Sequence, residues 1–269
     1  MAFRRPQFAL PNFQLHLRYH RPYQAAHETF AVQTSDGVTL RGVHLQRGSD
    51  TGVVYCHGFL SGKNFRNVPG FVEALADRFD VAAFDFRGHG DSAGTCTFTR
   101  QEILDLDAVV RYMRGFDYRH LIVIGSSMGG ATTIRYAAAS GAPDGIVTIG
   151  AFADYNHFVY PSTALSLRLA FTPPLGSTFT RVTRNTRLGQ IRALDGQPRE
   201  VVSRITAPTL FIHGERDLLV HPKEARLLHE LAVPPKELHM VKGAGHDMPL
   251  LNRTTAETIF EWADRTVRK

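Results

Sequence analysis

The sequence predicts an α/β protein with a mostly parallel central sheet of about eight strands and helices on both faces. Three observations lead to this prediction. Short apolar runs alternate with helix-length segments from Val53 onward. The runs are apolar at consecutive positions, as in strands that are covered on both sides. Two further strand-like runs come before them and add a hairpin at one edge of the sheet.

The predicted elements begin with this hairpin. Its strands, Thr29–Thr34 and Val38–Leu45, are joined through Ser35, Asp36 and Gly37, and an Asp-Gly pair is typical of a tight turn. The strands predicted after it are Val53–Cys56, Val81–Phe84, Leu121–Ile124, Ile146–Ile149, Leu210–His213 and Glu237–Val241. The predicted helices are Phe65–Arg78, Thr99–Arg114, Met128–Ala139 and Arg253–Val267.

Two stretches depart from this rhythm. In residues 1–27, apolar and polar side chains alternate from Phe13 to Tyr19, which is typical of an extended strand. We interpret residues 1–27 as a basic arm lying on a single domain of residues 28–269. About 60 residues separate Ile149 from Leu210, far more than one connection and one helix need. We expect a lid insertion there, at about 155–206.

The composition excludes several classes of protein. With 269 residues, 43% of them apolar and 21% charged, the chain is neither a disordered nor a collagen-like protein. No run approaches the roughly 18 apolar residues of a membrane span. Arg4 and Arg5 are not followed by the apolar core of a secretory signal. Cys56 and Cys96 are too few for a disulfide framework, and reduced thiols indicate a cytoplasmic protein.

The net charge of +6 is concentrated in two segments. Residues 1–27 contain four Arg and no acidic residue, and residues 155–206 contain seven Arg against two acidic residues. Residues 28–154 are mildly acidic, and residues 207–269 are balanced. A basic groove across the whole domain is therefore not expected, which argues against a nucleic-acid partner.

Ser127 lies in the strongest catalytic motif. Gly125-Ser126-Ser127-Met128-Gly129 matches Gly-x-Ser-x-Gly, and it joins a predicted strand directly to a predicted helix. Glycine is needed two residues on either side of such a nucleophile, because the tight turn leaves no room for side chains. The start of the helix then presents backbone N–H groups to developing negative charge. We predict Ser127 as the nucleophile and a structural role for Ser126.

The loop after the strand Val53–Cys56 is the predicted second half of an oxyanion hole. His57, Gly58 and Phe59 follow this strand, at the same sheet edge as Ser127. By position, the backbone N–H groups of Phe59 and Met128 would face the oxyanion. The His57 side chain is expected to bond nearby backbone and to have no catalytic role.

Asp217 and His246 complete the predicted site. Asp217 follows the strand Leu210–His213, and His246 follows the last strand in a loop that contains Gly243 and Gly245. The order Ser, Asp, His, with each residue just after a strand, brings all three to one edge of a parallel sheet. His246 would accept the Ser127 proton, and Asp217 would orient the imidazole. Glu215 and Asp247 are the competing acids.

A further motif supports a family resemblance. Asp85-Phe86-Arg87-Gly88-His89-Gly90-Asp91-Ser92 matches a loop that is common in one branch of the α/β hydrolases. With the serine turn and the ordered acid and base, the chain resembles the α/β-hydrolase superfamily from about residue 28 to residue 269, apart from the predicted insertion. The branch indicated contains serine esterases, monoacylglycerol lipases and serine-aminopeptidase-like enzymes. The resemblance implies that Arg87 and His89 belong to the scaffold.

The combined prediction is a serine hydrolase that cleaves carboxylic esters through an acyl-enzyme intermediate. A thioesterase, an amidase or peptidase and a C–C hydrolase use the same constellation, and all three remain open. A non-catalytic ligand-binding homologue is the alternative from another class. No cofactor is expected, because no motif has metal-ligand spacing or cradles a phosphate group.

The predicted insertion bears on the partners. It supplies apolar and aromatic side chains that suit an acyl chain or ring, although about half would form the core of the lid itself: Phe152, Tyr155, Phe158, Tyr160, Leu165, Leu167, Leu169 and Phe171. Arg181, Arg184 and Arg187, three residues apart, are predicted near one helix face. They are either solvated or attract an anionic substrate or a lipid surface. We expect a small-molecule ester or acyl substrate and a monomer or homodimer.

Overall fold

The computed structural model describes residues 19–155, 175–190 and 196–268. Most of the predicted arm, residues 1–18, lies outside the described residues, and so do residues 156–174 and 191–195 of the predicted insertion. The extended arm and the lid therefore stay predictions. Within the described ranges, no helix has the length and apolar character needed to cross a membrane.

Eight strands form one sheet, in the order β1-β2-β4-β3-β5-β6-β7-β8. β1 is antiparallel to β2, β2 is antiparallel to β4, and all other neighbours are parallel. The fold class predicted from the sequence is confirmed. The strands are β1 Glu28–Gln33, β2 Thr39–Leu45, β3 Thr51–Cys56, β4 Asp80–Phe84, β5 His120–Ser126, β6 Gly145–Ile149, β7 Thr209–Gly214 and β8 Lys236–Val241.

The helices connect the strands across both faces of the sheet. They are α1 Val68–Leu75, α2 Glu102–Arg114, α3 Met128–Ser140, α4 Leu175–Arg184, α5 Pro198–Val201, α6 Lys223–Leu231 and α7 Arg253–Thr266. Short 3-10 turns cover Val202–Arg204 and Met248–Leu250.

The core lies on both sides of the sheet. Along β3, Val53 and Tyr55 join one apolar cluster, whereas Val54 and Cys56 join another on the opposite face. Residues of α1 and α7 complete the first cluster, and residues of α2, α3 and α6 complete the second. Alternate side chains of a strand point to opposite faces, so strands covered on both sides read as continuous apolar runs.

The strand order determines where a site can form. β3 pairs with β4 on one side and with β5 on the other. The chain therefore leaves β3 in one direction, and after β4 it returns to the other side of β3. Loops diverge from the carboxyl ends of the strands at such a point, and the crevice between them is where open α/β sheets bind ligands. The loop after β3 and the turn after β5 both lie there.

Two predicted helices begin later than expected, and each start has a backbone cause. The first begins at Val68 and not at Phe65, because Arg66 has a positive φ of 46° that a helix cannot accommodate. α2 begins at Glu102 and not at Thr99, because Thr99 has a φ of 75°. The helix α6, Lys223–Leu231, was not predicted at all.

One prediction for the insertion is wrong. Arg181 and Arg184 lie on α4, but Arg187 lies beyond the end of this helix. Asn185 has a φ of 49° and ends the helical backbone. The Arg187 side chain then donates hydrogen bonds to the carbonyl groups of Ser92 and Gly94, with Nε 3.2 Å from the oxygen of Gly94. Arg187 thus fixes backbone and does not share a helix face with the other two.

The loop after β4 is held by ion pairs of two buried cations, in keeping with the scaffold role that the resemblance implies. Arg87 is 2% exposed and forms ion pairs with Asp36 in the β1–β2 turn and with Asp105 on α2, at 2.7 Å each. Lys63 pairs with Asp85 and Asp91, at 2.6 Å each. These pairs tie the loop to the hairpin, to α2 and to the loop after β3.

Candidate active site

Ser127 lies in the turn between β5 and α3, at the crevice between the loops. Its backbone has φ 50° and ψ −113°, a conformation that residues other than glycine rarely adopt. The N–H group of Ser127 donates to the carbonyl of Ile149 at the end of β6, at 2.8 Å. Its own carbonyl accepts a hydrogen bond from Ala131 in α3, at 3.0 Å. The turn is therefore attached to a neighbouring strand and to the helix that follows.

The two flanking glycines are required by close backbone contacts. A Cβ atom at Gly125 would lie 2.4 Å from the carbonyl oxygen of Gly129. A Cβ atom at Gly129 would lie 2.3 Å from the carbonyl oxygen of Cys56, the last residue of β3. Neither distance is possible for a real side chain. The start of α3 thus packs directly on the end of β3, where the predicted oxyanion loop begins.

The structure brings Ser127, His246 and Asp217 together in one hydrogen-bonded chain. The Oγ atom of Ser127 lies 3.0 Å from Nε2 of His246. Nδ1 of His246 lies 2.6 Å from Oδ2 of Asp217. The residues come from the ends of β5, β7 and β8, and 119 positions separate Ser127 from His246. A nucleophile, a base and an orienting carboxylate in this order can activate the serine hydroxyl.

Asp217 is 1% exposed, yet its carboxylate is well supplied with donors. Oδ1 accepts hydrogen bonds from the backbone N–H groups of Leu219 and Val220, at 2.9 and 2.8 Å. Burial alone would raise the pKa of Asp217, but hydrogen bonds from His213 and His246 outweigh it and hold the pKa far below its ordinary value. Asp217 is therefore charged at neutral pH.

His213 is a residue of this site that sequence reasoning missed. Its Nε2 atom lies 3.3 Å from Oδ2 of Asp217 and 3.0 Å from the carbonyl oxygen of Val220. Because a carbonyl oxygen only accepts, Nε2 carries the proton and points toward both oxygens. The signal in the sequence was the position of His213 at the end of a strand, four residues before Asp217.

The environment of His246 suits a general base. Its side chain is 15% exposed, so that one edge of the imidazole reaches the crevice. Burial lowers the pKa of His246, but the hydrogen bond and the charge of Asp217 raise it more, and the net shift is upward from 6.5. Gly150 borders the ring, because a Cβ atom there would lie 3.4 Å from its Nδ1 and Cε1 atoms.

The loop after β3 is fixed by His57. Nδ1 of His57 lies 2.7 Å from the carbonyl oxygen of Gly58, and Nε2 accepts the backbone N–H of Phe86 at 3.0 Å. Both ring nitrogens are occupied, which agrees with the structural role expected for this side chain. Phe59 follows in the same loop, and Met128 is the first residue of α3. The packing of Gly129 on Cys56 brings these two backbone segments together.

The competing acids occupy different surroundings. Glu215 is exposed. Asp247 is half-buried, with its Oδ1 atom inaccessible to solvent, and burial raises its pKa above the ordinary value. A hydrogen bond links Asp247 to Ser126, whose Oγ atom lies 3.1 Å from the hydroxyl of Tyr55. Ser126 and Asp247 thus belong to a buried polar network beneath the serine turn.

Aromatic side chains form a cluster with Phe59, in the loop after β3. The ring of Phe59 lies 5.2 Å from that of Phe98, centroid to centroid. The Phe98 ring is stacked on Phe152 at 5.8 Å, and Tyr155 lies 5.0 Å from Phe152. Of the aromatic residues predicted to supply an apolar pocket, Phe152 and Tyr155 are in this cluster. Phe158, Tyr160, Leu165, Leu167, Leu169 and Phe171 lie outside the described residues.

Among residues 19–155, 175–190 and 196–268, no three His, Cys, Asp or Glu side chains are grouped as metal ligands would be. Cys56 and Cys96 are buried and unpaired with each other. Burial raises the pKa of both thiols well above its ordinary value.

Curated relatives match most of the chain. An uncharacterized protein of Bacillus subtilis, YqkD, is 28% identical over 246 residues, which cover 87% of this chain and 78% of the relative. Alpha/beta hydrolase domain-containing protein 17B of Xenopus tropicalis is 24% identical over 238 residues, covering 86% of this chain and 73% of the relative.

Solved structures share the fold. The esterase Pf2001 of Pyrococcus furiosus superposes with a TM-score of 0.72 at 23% identity, covering 92% of this chain and 99% of the esterase chain. At this identity the likeness bears on the fold alone. The sequence model of the alpha/beta hydrolase family matches residues 53–259, the span that contains the serine turn, the acid and the base. The chain therefore belongs to the alpha/beta hydrolase family.

Proposed function

We propose that this protein is a serine hydrolase that cleaves carboxylic esters through an acyl-enzyme intermediate. The observation that carries the proposal is the hydrogen-bonded chain from Ser127 through His246 to Asp217, with distances of 3.0 and 2.6 Å. The nucleophile is in a strained turn at the start of a helix, and the acid is charged and buried. These features are what acyl transfer by an activated serine requires.

The first half-reaction forms the acyl-enzyme. Oγ of Ser127 attacks the carbonyl carbon of the ester while Nε2 of His246 accepts the hydroxyl proton. The carbonyl oxygen becomes an oxyanion, and the backbone N–H groups of Phe59 and Met128 donate to it. The bond to the leaving oxygen then breaks. His246 returns the proton to that oxygen, and the alcohol departs.

The second half-reaction regenerates the serine. A water molecule attacks the acyl carbon while His246 accepts one of its protons. The bond between Oγ and the acyl group breaks, and His246 returns the proton to Ser127. The product is a carboxylic acid. Asp217 keeps its negative charge throughout and stabilises the imidazolium that forms in each half-reaction.

The aromatic cluster supports an apolar acyl group. Phe59, Phe98, Phe152 and Tyr155 pack beside the loop whose backbone would hold the oxyanion. An acyl chain or ring extending from the carbonyl would gain free energy by covering these rings. Thioesters, amides and cleavable C–C bonds would place the same carbonyl at Ser127, so a panel with matched acyl groups separates these classes from esters.

Labelling with a fluorophosphonate probe tests the proposal, because the probe reacts only with an activated serine. We expect the wild type to be labelled and to hydrolyse p-nitrophenyl acyl esters. Ser127→Ala is expected to lose labelling and to lose turnover by roughly 10⁴-fold or more while remaining folded. Ser140→Ala, at the other end of the same helix, is the matched control and keeps both activities.

Two results would contradict the proposal. An active Ser127→Ala protein would remove the nucleophile from the mechanism. A folded wild type that is neither labelled nor active on any ester would favour a ligand-binding member of the family.

A further inference from the structure

Two arginines from distant parts of the chain share one aromatic platform, formed by Tyr19 and Phe65. Arg66 lies in the loop between β3 and α1, and Arg184 is the last residue of α4. Their guanidinium carbons lie 4.5 and 4.6 Å from the ring centroid of Tyr19. The same carbons lie 5.5 and 5.2 Å from the centroid of Phe65. We refer to Arg66 and Arg184 as the arginine pair.

The platform is held in place by the backbone. The N–H of Arg66 donates to the carbonyl of Tyr19 at 2.7 Å, and the N–H of Arg21 donates to the carbonyl of Asn64, also at 2.7 Å. His20 forms a β-bridge with Phe65 between these bonds. The end of the predicted arm is thus paired with the loop after β3, which places Tyr19 and Phe65 together.

The arginine pair has no counter-charge in the ranges that the structure describes. Neither guanidinium forms an ion pair or a hydrogen bond with a described residue, and Nη1 of Arg184 is buried without an acceptor. Burial lowers the pKa of Arg184, and the charge of Arg66 lowers it further. Buried donors nearly always have partners, so this arrangement indicates a missing acceptor.

Other cations of the same region are satisfied. Lys63 is bound by Asp85 and Asp91, and Arg187 donates to two carbonyl groups. The arginine pair differs from Lys63 and Arg187 in two respects. Its two like charges share one aromatic platform, and one of the guanidinium groups has a buried N–H without an acceptor. Aromatic faces attract guanidinium groups and hold them in position before any ligand arrives.

We propose that Arg66 and Arg184 form a binding site for a phosphate group. A guanidinium group offers parallel N–H donors that match two phosphate oxygens, and two such groups can divide the oxygens of one phosphate between them. Arg66 is exposed, so the site is open to solvent. The phosphate can belong to a soluble phosphomonoester or to a lipid headgroup, since both offer the same oxygens.

The test compares binding by variants of equal charge change. Glycerol 3-phosphate is titrated calorimetrically into the wild type, Arg66→Gln and Arg184→Gln at constant ionic strength. Arg181→Gln is the matched control, because Arg181 is exposed on the same helix as Arg184. We expect each variant of the pair to bind roughly tenfold more weakly, or worse, as when one charge-assisted hydrogen bond is lost. The control binds like the wild type.

A second set of measurements identifies the source of the phosphate. The same four proteins are sedimented with phosphatidylcholine vesicles, with and without phosphatidic acid. Binding that requires phosphatidic acid and is lost in the two pair variants assigns the site to a lipid headgroup. If the two pair variants lose only the binding of glycerol 3-phosphate, and no protein binds the vesicles, the site is assigned to a soluble phosphomonoester. Arg184→Lys, which keeps the charge but not the planar fork, is expected to bind with intermediate strength.

Two results would overturn the phosphate site. One is a wild type that binds neither glycerol 3-phosphate nor the acidic vesicles. The other is binding by Arg181→Gln that is as weak as binding by the two pair variants, because the loss would then reflect general charge. Binding is measured without turnover, and Ser127→Ala is expected to bind like the wild type. The outcome is therefore independent of the proposed hydrolase function.

Discussion

His213 and His246 meet at one atom, the Oδ2 oxygen of Asp217, which lies 3.3 Å from Nε2 of His213 and 2.6 Å from Nδ1 of His246. One carboxylate oxygen thus faces two imidazoles. The hydrogen bond from His213 lowers the pKa of Asp217, after burial has raised it. His213 is therefore placed to position the carboxylate and to moderate its basicity.

Replacing His213 by Phe removes this donor and keeps an aromatic ring in its place. The Asp217 charge would then be less stabilised and would hold a proton on His246 more strongly. We expect kcat/KM to fall roughly tenfold, the effect of one hydrogen bond to a charged group. We also expect the acidic limb of the pH–rate profile to move toward higher pH.

The position of that limb separates a positioning role from a merely structural one. A destabilised protein with an unchanged limb would contradict the role assigned to His213. His239→Phe is the matched control, since His239 is exposed on the neighbouring strand β8, and it should leave both the rate and the limb unchanged.

The pH dependence of the wild type follows from the pKa of His246. Only the neutral imidazole can accept the Ser127 proton, so activity is lost as the pH falls through the pKa. Burial lowers this pKa and Asp217 raises it more, for a net upward shift. We expect kcat/KM to decline below an apparent pKa that lies above 6.5, measured between about pH 5 and 9.

Asp217→Asn reverses this balance. Without the carboxylate charge, burial dominates, and the limb should move to lower pH than in the wild type. The plateau of kcat/KM above this limb should fall by roughly 10³- to 10⁴-fold, because the amide of the variant does not stabilise the imidazolium as the carboxylate does. A limb that stays in place would show that Asp217 does not set the basicity of His246.

Gly129→Ala tests the packing of α3 on β3. The new Cβ atom would lie 2.3 Å from the carbonyl oxygen of Cys56, a contact that only a shift of the helix can relieve. We expect a loss of stability of about 3 kcal/mol or more in urea unfolding, as for overpacking against rigid backbone. Gly129→Ala protein that still folds is expected not to react with the fluorophosphonate probe at Ser127, because the start of the helix has moved.

The control for this variant lies at the other end of the same helix. Gly141→Ala introduces a side chain with no atom within 4 Å, and its cost is the positive φ of 60° alone. We expect about 1 kcal/mol of destabilisation and normal labelling. Equal effects in the two variants would show that the contact with Cys56 is relieved at little cost and does not make glycine necessary at position 129.

The sequence predicted the strands well because a strand covered on both faces needs apolar residues at every position. All eight predicted strands are present. Helix starts were harder to predict, since those at Val68 and Glu102 depend on positive φ values at Arg66 and Thr99, which no residue type signals. α6 was also missed, although Ala225 and Leu228 lie three residues apart on its buried face.

The predicted site residues could be named because each follows a strand, and parallel topology brings strand ends together. Ser127, Asp217 and His246 are in contact for this reason. His213 and the Asp247–Ser126–Tyr55 network were missed, because their roles depend on side-chain direction within the crevice. The strand pattern fixes the edge of the sheet at which a residue lies, but not what its side chain reaches.

Arg87 joins the β1–β2 hairpin to α2. Its guanidinium contacts Asp36 and Asp105, and its backbone N–H also donates to Asp105, at 2.8 Å. Burial raises the pKa of Asp105 to about 7 even with Arg87 opposing it. Arg87→Met would leave this carboxyl buried without its cation, which costs about 3–5 kcal/mol.

The pH dependence of this loss has a definite sign. The pKa of Asp105 is about 7 in the folded protein and 3.8 in the unfolded chain. Its contribution to stability is therefore complete below pH 3.8 and is lost as the pH rises through the folded pKa. Arg87→Met should therefore be most destabilised near neutral pH and less so in mild acid. Adding Asp105→Asn should recover part of the lost stability at neutral pH, because no charge is then buried.

Arg111→Ala, which breaks an exposed ion pair with Asp107, should change stability by less than about 0.5 kcal/mol. A similar loss in both arginine variants, or no gain from Asp105→Asn, would mean that the buried ion pair does not hold this loop.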